Sequence, residues 1–591
     1  MKSFLKYTLA TIVGLFLFSI VATIITIVSV AGMVADEGTS KIEKNSILRI
    51  SLNGTMVERS EGDETPDVVE LMMGNETNAI ALQEALTALE NAAENKNVIG
   101  VYLEGGGLSA TPAMTEELRN ALVKFKESGK WVVAYGDQFS RSAYYLASAA
   151  DSVWLNPEGM LDWSGMATRL YFLKGALEKI GIKMQVFKVG TYKSAVEPYI
   201  CTEMSDANRE QVTSFLNNIW ATMLKDVAES RGMDTERLNT IADSQTILTD
   251  PTDAQKNGLV DGLHYIGEVK QALKDIAGLG EKDKLKFVSI KDVANAQTLK
   301  EKIKEEIAVY YAYGDIVDEA GSGLQQTHQI TGKGMTNDLQ KLREDERVKA
   351  VVIRVNSGGG SAYASEQIWR EVEQLKAVKP VVISMGGMAA SGGYYISCAA
   401  NRIIAEPTTL TGSIGIFGMI ADYSELATKK LGVTFDGVKT NKLSDFGAMG
   451  RPFNETEGEL MQAYVEKGYD LFTRRVADGR GMEQDSVKAI AEGRVWTGEQ
   501  ALGLGLVDEL GDLNDAIAAA AEAAEVEKYT VGRYPAASPW YVNIIDKQKN
   551  NYLESQMRST LGEFYPMFMM VKSAENLNGL QARMPFYMEI K

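Results

Sequence analysis

The serine in the most unusual setting is Ser391, in the stretch VVISMGGMAASGGYYIS at residues 381–397. Ala390 precedes it and a Gly-Gly pair follows it, so few side-chain atoms surround its hydroxyl. Small residues let a strand-to-helix turn pack closely against its neighbours, and they also let a substrate backbone approach. A nucleophilic role therefore needs a second signal, which is a base that removes the serine proton.

Histidine is the usual base for a serine nucleophile, and the chain has two histidines. His264 lies in DGLHYIG and His328 lies in GSGLQQTHQI, and neither stretch offers a convincing aspartate relay or a glycine-rich setting. The sequence therefore argues against a Ser-His-Asp triad. The same scarcity of histidine argues against a zinc site.

A lysine with a lowered pKa is the remaining base that works near neutral pH. The free amine has a pKa of about 10.4, and burial lowers this value by several units. Lys193, in KVGTYKSAVEPYI, has the small and apolar neighbours that such burial requires, and Lys442, in VKTNKLSDFG, has them less clearly. A solvated loop lysine is the alternative at both positions.

The composition is that of an acidic globular protein with several domains. With 591 residues the chain is too long for one hydrophobic core. A net charge of -18 and a pI of about 4.9 argue against binding to nucleic acid. The two cysteines, Cys201 and Cys398, make neither a disulfide framework nor a CxxC metal cluster, and the sequence leaves open whether they pair.

The chain repeats itself at an offset close to 250 residues. The matching stretches are 130–165 with 379–415, 98–107 with 348–360, and NGLVDGL (257–263) with LGLVDEL (504–510). This period is far too long for a solenoid. It predicts two tandem domains of one fold, at about 46–300 and about 301–545.

Within each unit, short apolar runs alternate with amphipathic helical segments. In the second unit we predict strands at 348–356 and 380–386, and a helix at 364–378 whose apolar spacing is near 3.6. Near-continuous apolar strands alternating with helices indicate an α/β fold with a parallel sheet covered on both faces. We expect the acidic segment 60–79 to be a mobile loop and the tail 546–591, rich in Met and aromatic residues, to pack on its own domain.

The N-terminus predicts a membrane anchor at residues 1–36. From Tyr7 to Ala35 there are 29 residues without a charge. A helix that crosses a bilayer needs roughly 20 apolar residues, whereas the apolar region of a signal peptide has about 7–15. An uncleaved anchor is favoured, and small residues near the end of the run leave cleavage as the alternative. Two lysines precede the run, which predicts that the short N-terminus is cytoplasmic and that everything after residue 36 lies outside.

Four motifs on this duplicated, anchored chain carry a family resemblance. RVNSGGGSAYASE, SMGGMAASGGYYIS, LTGSIGIFG and VGTYKSAVEPY closely resemble the signal peptide peptidase A family in its long, two-repeat form. The resemblance implies the fold of the Clp protease and crotonase superfamily, in tandem, and a homotetramer. It implies a membrane-anchored serine protease with a Ser-Lys dyad that degrades cleaved signal peptides and needs no metal or nucleotide cofactor.

The family pattern assigns a role to five residues of this sequence. The resemblance implies that Ser391 is the nucleophile, that Lys193 is the general base, and that Ser413 helps to orient the lysine. The oxyanion-hole amides would be those of Gly359 and Gly392. The family often has proline at the position before Gly359, where this chain has another glycine, so the loop that carries this donor is expected to be looser.

The internal repeat predicts a composite site. Arg141 stands in the first repeat where Ser391 stands in the second, so the first copy lacks the nucleophile. The resemblance then implies that Lys193, from the first repeat, reaches Ser391. The rival is a dyad within the second repeat, because Lys442 follows Ser391 by 51 positions, close to the spacing in single-repeat relatives. Lys193 is favoured because its flanking residues match the family motif better.

The predicted substrates are cleaved signal peptides or other apolar peptides that leave the bilayer. The resemblance implies a single-pass protein of the cell inner membrane, with the catalytic domains on the periplasmic or external side. Two alternatives are an acyl-CoA-handling crotonase-like enzyme, which would share the paired glycine amides, and a non-catalytic membrane scaffold. Neither alternative needs Ser391 together with Lys193. The sequence leaves the cleavage-site preference open.

Overall fold

The computed structural model describes residues 42–60, 79–244, 247–280, 282–296, 303–319, 328–536 and 580–584, together with Tyr7, Gly14, Phe18, Met557 and Thr560. Nearly all of the predicted anchor and of the predicted mobile loop at 60–79, and most of the tail, lie outside these residues. Among the residues that are described, no helix is both long enough and apolar enough to cross a membrane.

The strands follow the two predicted units in chain order. They are β1 Ser46–Ser51, β2 Gly54–Val57, β3 Ala79–Ala81, β4 Val98–Glu104, β5 Leu108–Ser109, β6 Trp131–Phe139, β7 Ser152–Leu161, β8 Lys183–Lys188, β9 Gly262–Leu263, β10 Lys286–Val288, β11 Glu306–Tyr313, β12 Asp315–Val317, β13 Gln329–Thr331, β14 Val348–Ser357, β15 Gly359–Ser361, β16 Val381–Ala390, β17 Arg402–Ala405, β18 Leu410–Gly412, β19 Phe417–Asp422, β20 Val495–Thr497, β21 Glu509–Leu510, β22 Thr530–Tyr534 and β23 Leu580–Arg583.

The helices lie between these strands. They are α1 Leu82–Glu94, α2 Pro112–Lys126, α3 Arg141–Ala147, α4 Lys174–Ile180, α5 Glu197–Ile200, α6 Asp206–Arg231, α7 Thr235–Asp243, α8 Pro251–Lys256, α9 Ile266–Ile276, α10 Ile290–Ala294, α11 Gly332–Glu344, α12 Ala362–Lys376, α13 Gly392–Ser397, α14 Glu455–Arg480, α15 Gln484–Ile490, α16 Gly498–Gly503 and α17 Leu513–Ala523.

Each repeat is built on one large sheet of mainly parallel strands. The first sheet has the order β10-β1-β4-β6-β7-β9. The second has the order β20-β18-β16-β14-β11-β22, with β17 also paired to β16 and β21 paired to β17. Neighbouring strands of the first sheet, and β11, β14, β16, β17 and β22 of the second, pair in parallel. Separate apolar clusters cover the two faces of the second sheet. The predicted α/β architecture is confirmed.

The duplication is visible in the capping of the two longest helices among the described residues. The side chain of Ser205 accepts a hydrogen bond from Asn208 N at the start of α6, and Asn454 does the same for Glu457 N at the start of α14. Both helices have 26 residues and end at a left-handed glycine, Gly232 or Gly481. Polar N-caps and left-handed C-terminal glycines satisfy the terminal backbone groups in the same way in both copies.

The two repeats differ in their smaller sheets. Among the described residues, the smaller sheet of the first repeat has the order β3-β2-β5, whereas that of the second has the order β13-β12-β15-β23-β19-β8. In this second sheet, β8 comes from the first repeat and pairs antiparallel with β19. β23 comes from the predicted tail and lies between β15 and β19. The first repeat thus contributes strand β8 to the smaller sheet of the second repeat, close to the motifs that carry the family resemblance.

Candidate active site

Ser391 lies at a sharp turn between β16 and α13. Its φ of 54° and ψ of -113° belong to a region that residues other than glycine rarely adopt. Its amide donates to Gly412 O at 2.8 Å, and its carbonyl accepts from Tyr395 N at 2.8 Å, so hydrogen bonds on both sides hold the turn. The side chain is fully buried. Strain maintained in this way is typical of a functional position.

Lys193 reaches this serine from the first repeat. Its Nζ lies 2.8 Å from Ser391 Oγ, a hydrogen bond between residues 198 positions apart. Lys193 follows β8, and the pairing of β8 with β19 carries the loop into the second repeat. The structure therefore brings together the two residues that the composite-site prediction named.

Burial lowers the pKa of the Lys193 amine well below its usual value. The side chain is fully buried, and desolvation of the charged form is the cause of the shift. Desolvation disfavours an ammonium ion, so this amine loses its proton far more readily than a surface lysine. A neutral amine beside a serine hydroxyl accepts the hydroxyl proton and activates the oxygen.

Ser413 completes the polar surroundings of the amine. Lys193 Nζ lies 3.1 Å from Ser413 Oγ and 3.0 Å from Ser413 O. Ser413 itself has a φ of 49°, and its amide donates to Arg494 O at 2.7 Å. These contacts fix the direction of the amine toward Ser391.

Contacts between the repeats hold the Lys193 loop in place. Tyr192 N donates to Glu492 O at 3.0 Å. Gln211, on α6, donates through Nε2 to Tyr192 O at 3.1 Å and accepts at Oε1 from Val495 N at 3.1 Å. The position of the amine is therefore determined by hydrogen bonds that cross from the first repeat to the second.

Two glycines of the second repeat make room for the lysine. A Cβ at Gly493 would lie 2.7 Å from Lys193 Cβ, and a Cβ at Gly415 would lie 3.1 Å from Lys193 Cδ. Sequence reasoning noticed Gly415 only as part of the repeat and missed Gly493, because no local pattern links either residue to a lysine far away in the chain.

The predicted oxyanion donors, Gly359 and Gly392, lie next to each other beside Ser391. A Cβ at Gly359 would lie 2.5 Å from Gly392 N, so this approach requires glycine. The Gly359 amide donates to Ser357 Oγ at 3.1 Å, and its role as an oxyanion donor stays a prediction. Gly360, the next residue of β15, is a second candidate from the same glycine run.

The other candidate bases lie elsewhere. Lys442 is exposed, in a segment without helix or strand. His264 packs edge-on against Trp154, and His328 stacks on Tyr313 with the ring centroids 3.6 Å apart. Within the described ranges, no group of three His, Cys, Asp or Glu side chains is arranged to hold a metal ion.

In the first repeat, Arg141 stands at the position that corresponds to Ser391. Arg141 begins α3 there and donates to Gly165 O at 2.8 Å. The two cysteines do not pair: Cys201 and Cys398 are both free thiols.

Comparison with known families identifies the chain. The family model "Peptidase family S49" matches residues 124–280 and 373–527, which together make up more than half of the sequence. The chain belongs to peptidase family S49. A second family model, "Clp protease", matches residues 309–409 of this S49 peptidase.

Three relatives of the S49 peptidase have names that describe proteases or peptidases. "Protease 4" of Salmonella typhi is 39% identical over 77% of this chain and 74% of its own length. "Serine protease SPPA, chloroplastic" of Arabidopsis thaliana is 31% identical over 82% of this chain and 70% of its own length. "Putative signal peptide peptidase SppA" of Enterococcus faecium is 37% identical over 39% of this chain and 69% of its own length. The S49 peptidase is thus a serine protease with two tandem Clp-protease-like α/β domains, and the family resemblance drawn from its motifs is confirmed.

Proposed function

We propose that the chain is a membrane-anchored serine endopeptidase whose Ser-Lys dyad is shared between the two repeats. Ser391 is the nucleophile and Lys193 is the general base. The observation that carries the proposal is the 2.8 Å contact between Lys193 Nζ and Ser391 Oγ, made by a fully buried amine whose pKa burial lowers.

The dyad supplies both proton transfers of peptide hydrolysis. Neutral Lys193 takes the proton of Ser391 as Oγ attacks the peptide carbonyl, and the resulting ammonium returns that proton to the leaving amine. Water then hydrolyses the acyl-enzyme by the same route in reverse. Ser413 keeps the amine aligned through both steps, because its Oγ and O both lie within hydrogen-bond distance of Nζ.

Backbone amides stabilise the oxyanion that forms during the attack. The Gly392 amide directly follows the nucleophile, and the glycine run at Gly359 and Gly360, which packs against Gly392, supplies the second donor in this proposal. Amides that are fixed before the reaction lower the barrier because they need no reorganisation as charge develops.

The proposed substrates are cleaved signal peptides and other apolar peptides. The uncharged run from Tyr7 to Ala35 supports an anchor in the inner membrane, and the lysines before it support external catalytic domains. The name of the Enterococcus faecium relative supports the same substrate class. An anchored site next to the bilayer meets apolar peptides as they leave it.

We include self-association, as a homotetramer, in the proposal. The duplication makes residues near 432–437 the counterpart of β8, and these residues form no strand and are exposed. The counterpart of β19 in the first repeat lies near 167–172, where residues 169–172 also form no strand. A second copy offers each segment the strand partner that it lacks, in a head-to-tail contact of the kind that closes rings.

The segment that would meet the second copy carries many exposed apolar side chains. Contiguous apolar surface of this kind marks an interaction site. The exposed side chains are Leu431, Val433, Phe435, Val438, Leu443, Phe446 and Met449.

The test of the dyad is hydrolysis of a fluorogenic apolar peptide by the detergent-solubilised full chain. Ser391→Ala and Lys193→Ala are expected to lower kcat/KM by roughly 10³-fold or more, because each removes one half of the activated nucleophile. Lys442→Ala is the matched control and is expected to keep the wild-type rate. Activity that survives Ser391→Ala, or that disappears only in Lys442→Ala, would contradict the proposed site.

A further inference from the structure

Arg494 connects the two repeats close to the Lys193 loop. Its guanidinium carbon lies 4.7 Å from the ring centre of Tyr192, in the first repeat, and 4.4 Å from that of Trp496, in the second. A cation over an aromatic face at such distances is attracted by the electrons of the ring. The guanidinium is therefore held between one ring from each repeat, and Tyr192 directly precedes Lys193.

Polar contacts fix the same two side chains. Arg494 Nη1 donates to Tyr192 Oη at 3.0 Å, and that hydroxyl donates to Glu210, on α6, at 3.1 Å. Arg494 Nη2 also forms an ion pair with Glu210 at 2.9 Å. The side chain of Glu210 is more than half exposed, so solvent weakens this ion pair. The hydrogen bond and the ring contact with Tyr192 are therefore the contacts through which Arg494 acts on the Lys193 loop.

The main chain of Arg494 supports the other neighbour of the amine. Its carbonyl accepts from Ser413 N at 2.7 Å, and the amide of the preceding Gly493 donates to Ile414 O at 2.9 Å. Ser413 is the residue whose Oγ and O lie within hydrogen-bond distance of Lys193 Nζ. Arg494 thus holds Ser413 through its backbone and the Lys193 loop through its side chain.

The amine of Lys193 depends on packing for its low pKa. Among the described residues, the groups within hydrogen-bond distance of Nζ are neutral and belong to Ser391 and Ser413. Burial is the cause of the lowered pKa. The titratable side chains on the elements around the loop are those of Lys188 on β8, Tyr192, Glu197 on α5, Glu210 on α6, Tyr469 on α14, Glu492 and Arg494. Whatever keeps the loop packed on the second repeat therefore also keeps water from the amine.

We propose that Arg494 is a positioning residue of the dyad: it holds Tyr192 against the second repeat and thereby keeps the Lys193 amine out of water and directed at Ser391. This inference rests on the proposed function, because Lys193 is the general base in both. It adds a residue outside the dyad that acts through the loop before the base.

Loss of the guanidinium has a distinctive effect on the pH dependence. Once the loop is free to move, water reaches the amine, and a hydrated ammonium ion keeps its proton more strongly. The pKa of Lys193 then rises toward the value of about 10.4 for a free lysine, so kcat/KM rises with pH at a higher pH than in wild type. Each unit of this shift corresponds to roughly tenfold lower kcat/KM at pH values below both midpoints.

The test is the pH profile of kcat/KM for the fluorogenic peptide, measured with the detergent-solubilised full chain. Arg494→Met removes the cation and its hydrogen bonds but keeps an unbranched side chain. Its midpoint is expected to move up by about one unit, with roughly tenfold lower kcat/KM below both midpoints and the loss in kcat rather than KM, because the amine acts in the chemical steps. Arg494→Lys keeps a cation between the rings and is expected to lie between Arg494→Met and wild type.

Arg231→Met is the matched control. Arg231 pairs with Asp261 at 2.7 Å in the first repeat, and its side chain is even less exposed than that of Arg494. This variant also loses a shielded arginine, but it is expected to keep the wild-type midpoint. Tyr192→Phe removes only the hydroxyl that Arg494 binds, and it is expected to shift the midpoint in the same direction as Arg494→Met but less. It carries the test if Arg494→Met does not fold.

Hydrogen exchange gives a second readout that does not depend on activity. The backbone amides at residues 189–196 are expected to exchange faster in Arg494→Met than in wild type or Arg231→Met, because the loop has lost its contact with the second repeat. An unchanged midpoint together with unchanged exchange would overturn the inference while the dyad stands. An equal shift in Arg231→Met would overturn it too, because the shift would then reflect a general loss of stability. Activity that survives Ser391→Ala or Lys193→Ala would instead refute the proposed function.

Discussion

Lys193 is an amine that folding has moved entirely out of water. Burying an ammonium ion without an opposing charge is costly, so the folded chain favours the neutral form, and burial alone accounts for the lowered pKa. The neutral amine lies next to the hydroxyl that it deprotonates in the proposed mechanism. Ser391, held at a positive φ, points its hydroxyl into this same buried space. At the scale of single residues, the burial that makes a charged Lys193 costly also lowers its pKa, as the proposed role of a base requires.

The pH dependence of hydrolysis follows from this pKa shift. Protonated Lys193 cannot accept the serine proton, so kcat/KM is expected to rise with pH through the lowered pKa of Lys193 and then level off. The rise should be complete well below the value of about 10.4 for a free lysine. The measurement is kcat/KM for the fluorogenic peptide as a function of pH. An optimum at acidic pH, or a rise centred at the pKa of a free lysine, would contradict the assignment.

A second set of contacts joins the two repeats at the level of strands and helices. Arg354, on β14 of the second repeat, donates to Glu117 on α2 at 2.5 Å and to Glu58 after β2 at 3.1 Å. All three side chains are almost fully buried. Burial raises the pKa of Glu117, and the Arg354 guanidinium works against that rise. The arginine therefore keeps two carboxylates of the first repeat in a dry interface against the sheet that carries Ser391.

Removal of this arginine is expected to destabilise the joined repeats. Arg354→Leu leaves two carboxylates buried without their cation, which costs roughly 3–5 kcal/mol. Arg474→Leu is the control, because Arg474 pairs with Asp470 at the surface of α14, and such pairs contribute roughly 0.3–0.5 kcal/mol. The measurement is thermal unfolding of both variants beside wild type. Equal melting temperatures for the two variants would show that the buried cluster does not join the repeats.

At the scale of the whole molecule, the two repeats contribute different residues to the candidate site. The first repeat has Arg141 at the position of Ser391 and contributes Lys193 and β8 to the candidate site, and the second repeat contributes Ser391. The second repeat keeps a counterpart of the lending segment, which includes Lys442, and this counterpart is exposed. If this segment docks on the first repeat of another copy, Lys442 lies at the site where Arg141 replaces the serine. Lys442 then has no serine to activate, and we expect it to have a structural role.

The assembly proposal predicts that charge in the exposed segment breaks the oligomer. Phe435→Asp combined with Val438→Asp is expected to convert the oligomer into a monomer, because two carboxylates would have to be buried in an apolar contact. Val378→Asp is the control, since Val378 is 64% exposed but follows α12, outside the segment. Light scattering of the detergent-solubilised full chain gives the mass. A monomeric wild type, or a double variant that stays oligomeric, would contradict the proposed interface.

Local sequence patterns predicted helices and strands of this protein and the turn that carries Ser391. Apolar periodicity predicted a strand at 348–356 and a helix at 364–378, which the structure has as β14 and α12. The offset near 250 predicted the tandem repeats. The small residues around Ser391 marked the turn, because strand period, helix period and glycine placement are all encoded within a few residues.

Only the tertiary structure decided which lysine meets the serine. Lys193 and Lys442 both have local settings that permit burial, and the choice depends on the pairing of β8 with β19 across the two repeats. The position of β23 in the smaller sheet of the second repeat could not be predicted from local sequence either, because it is fixed by pairing with β15, more than 200 residues earlier in the chain. Contacts between distant segments depend on the summed packing of both repeats, which no short pattern encodes.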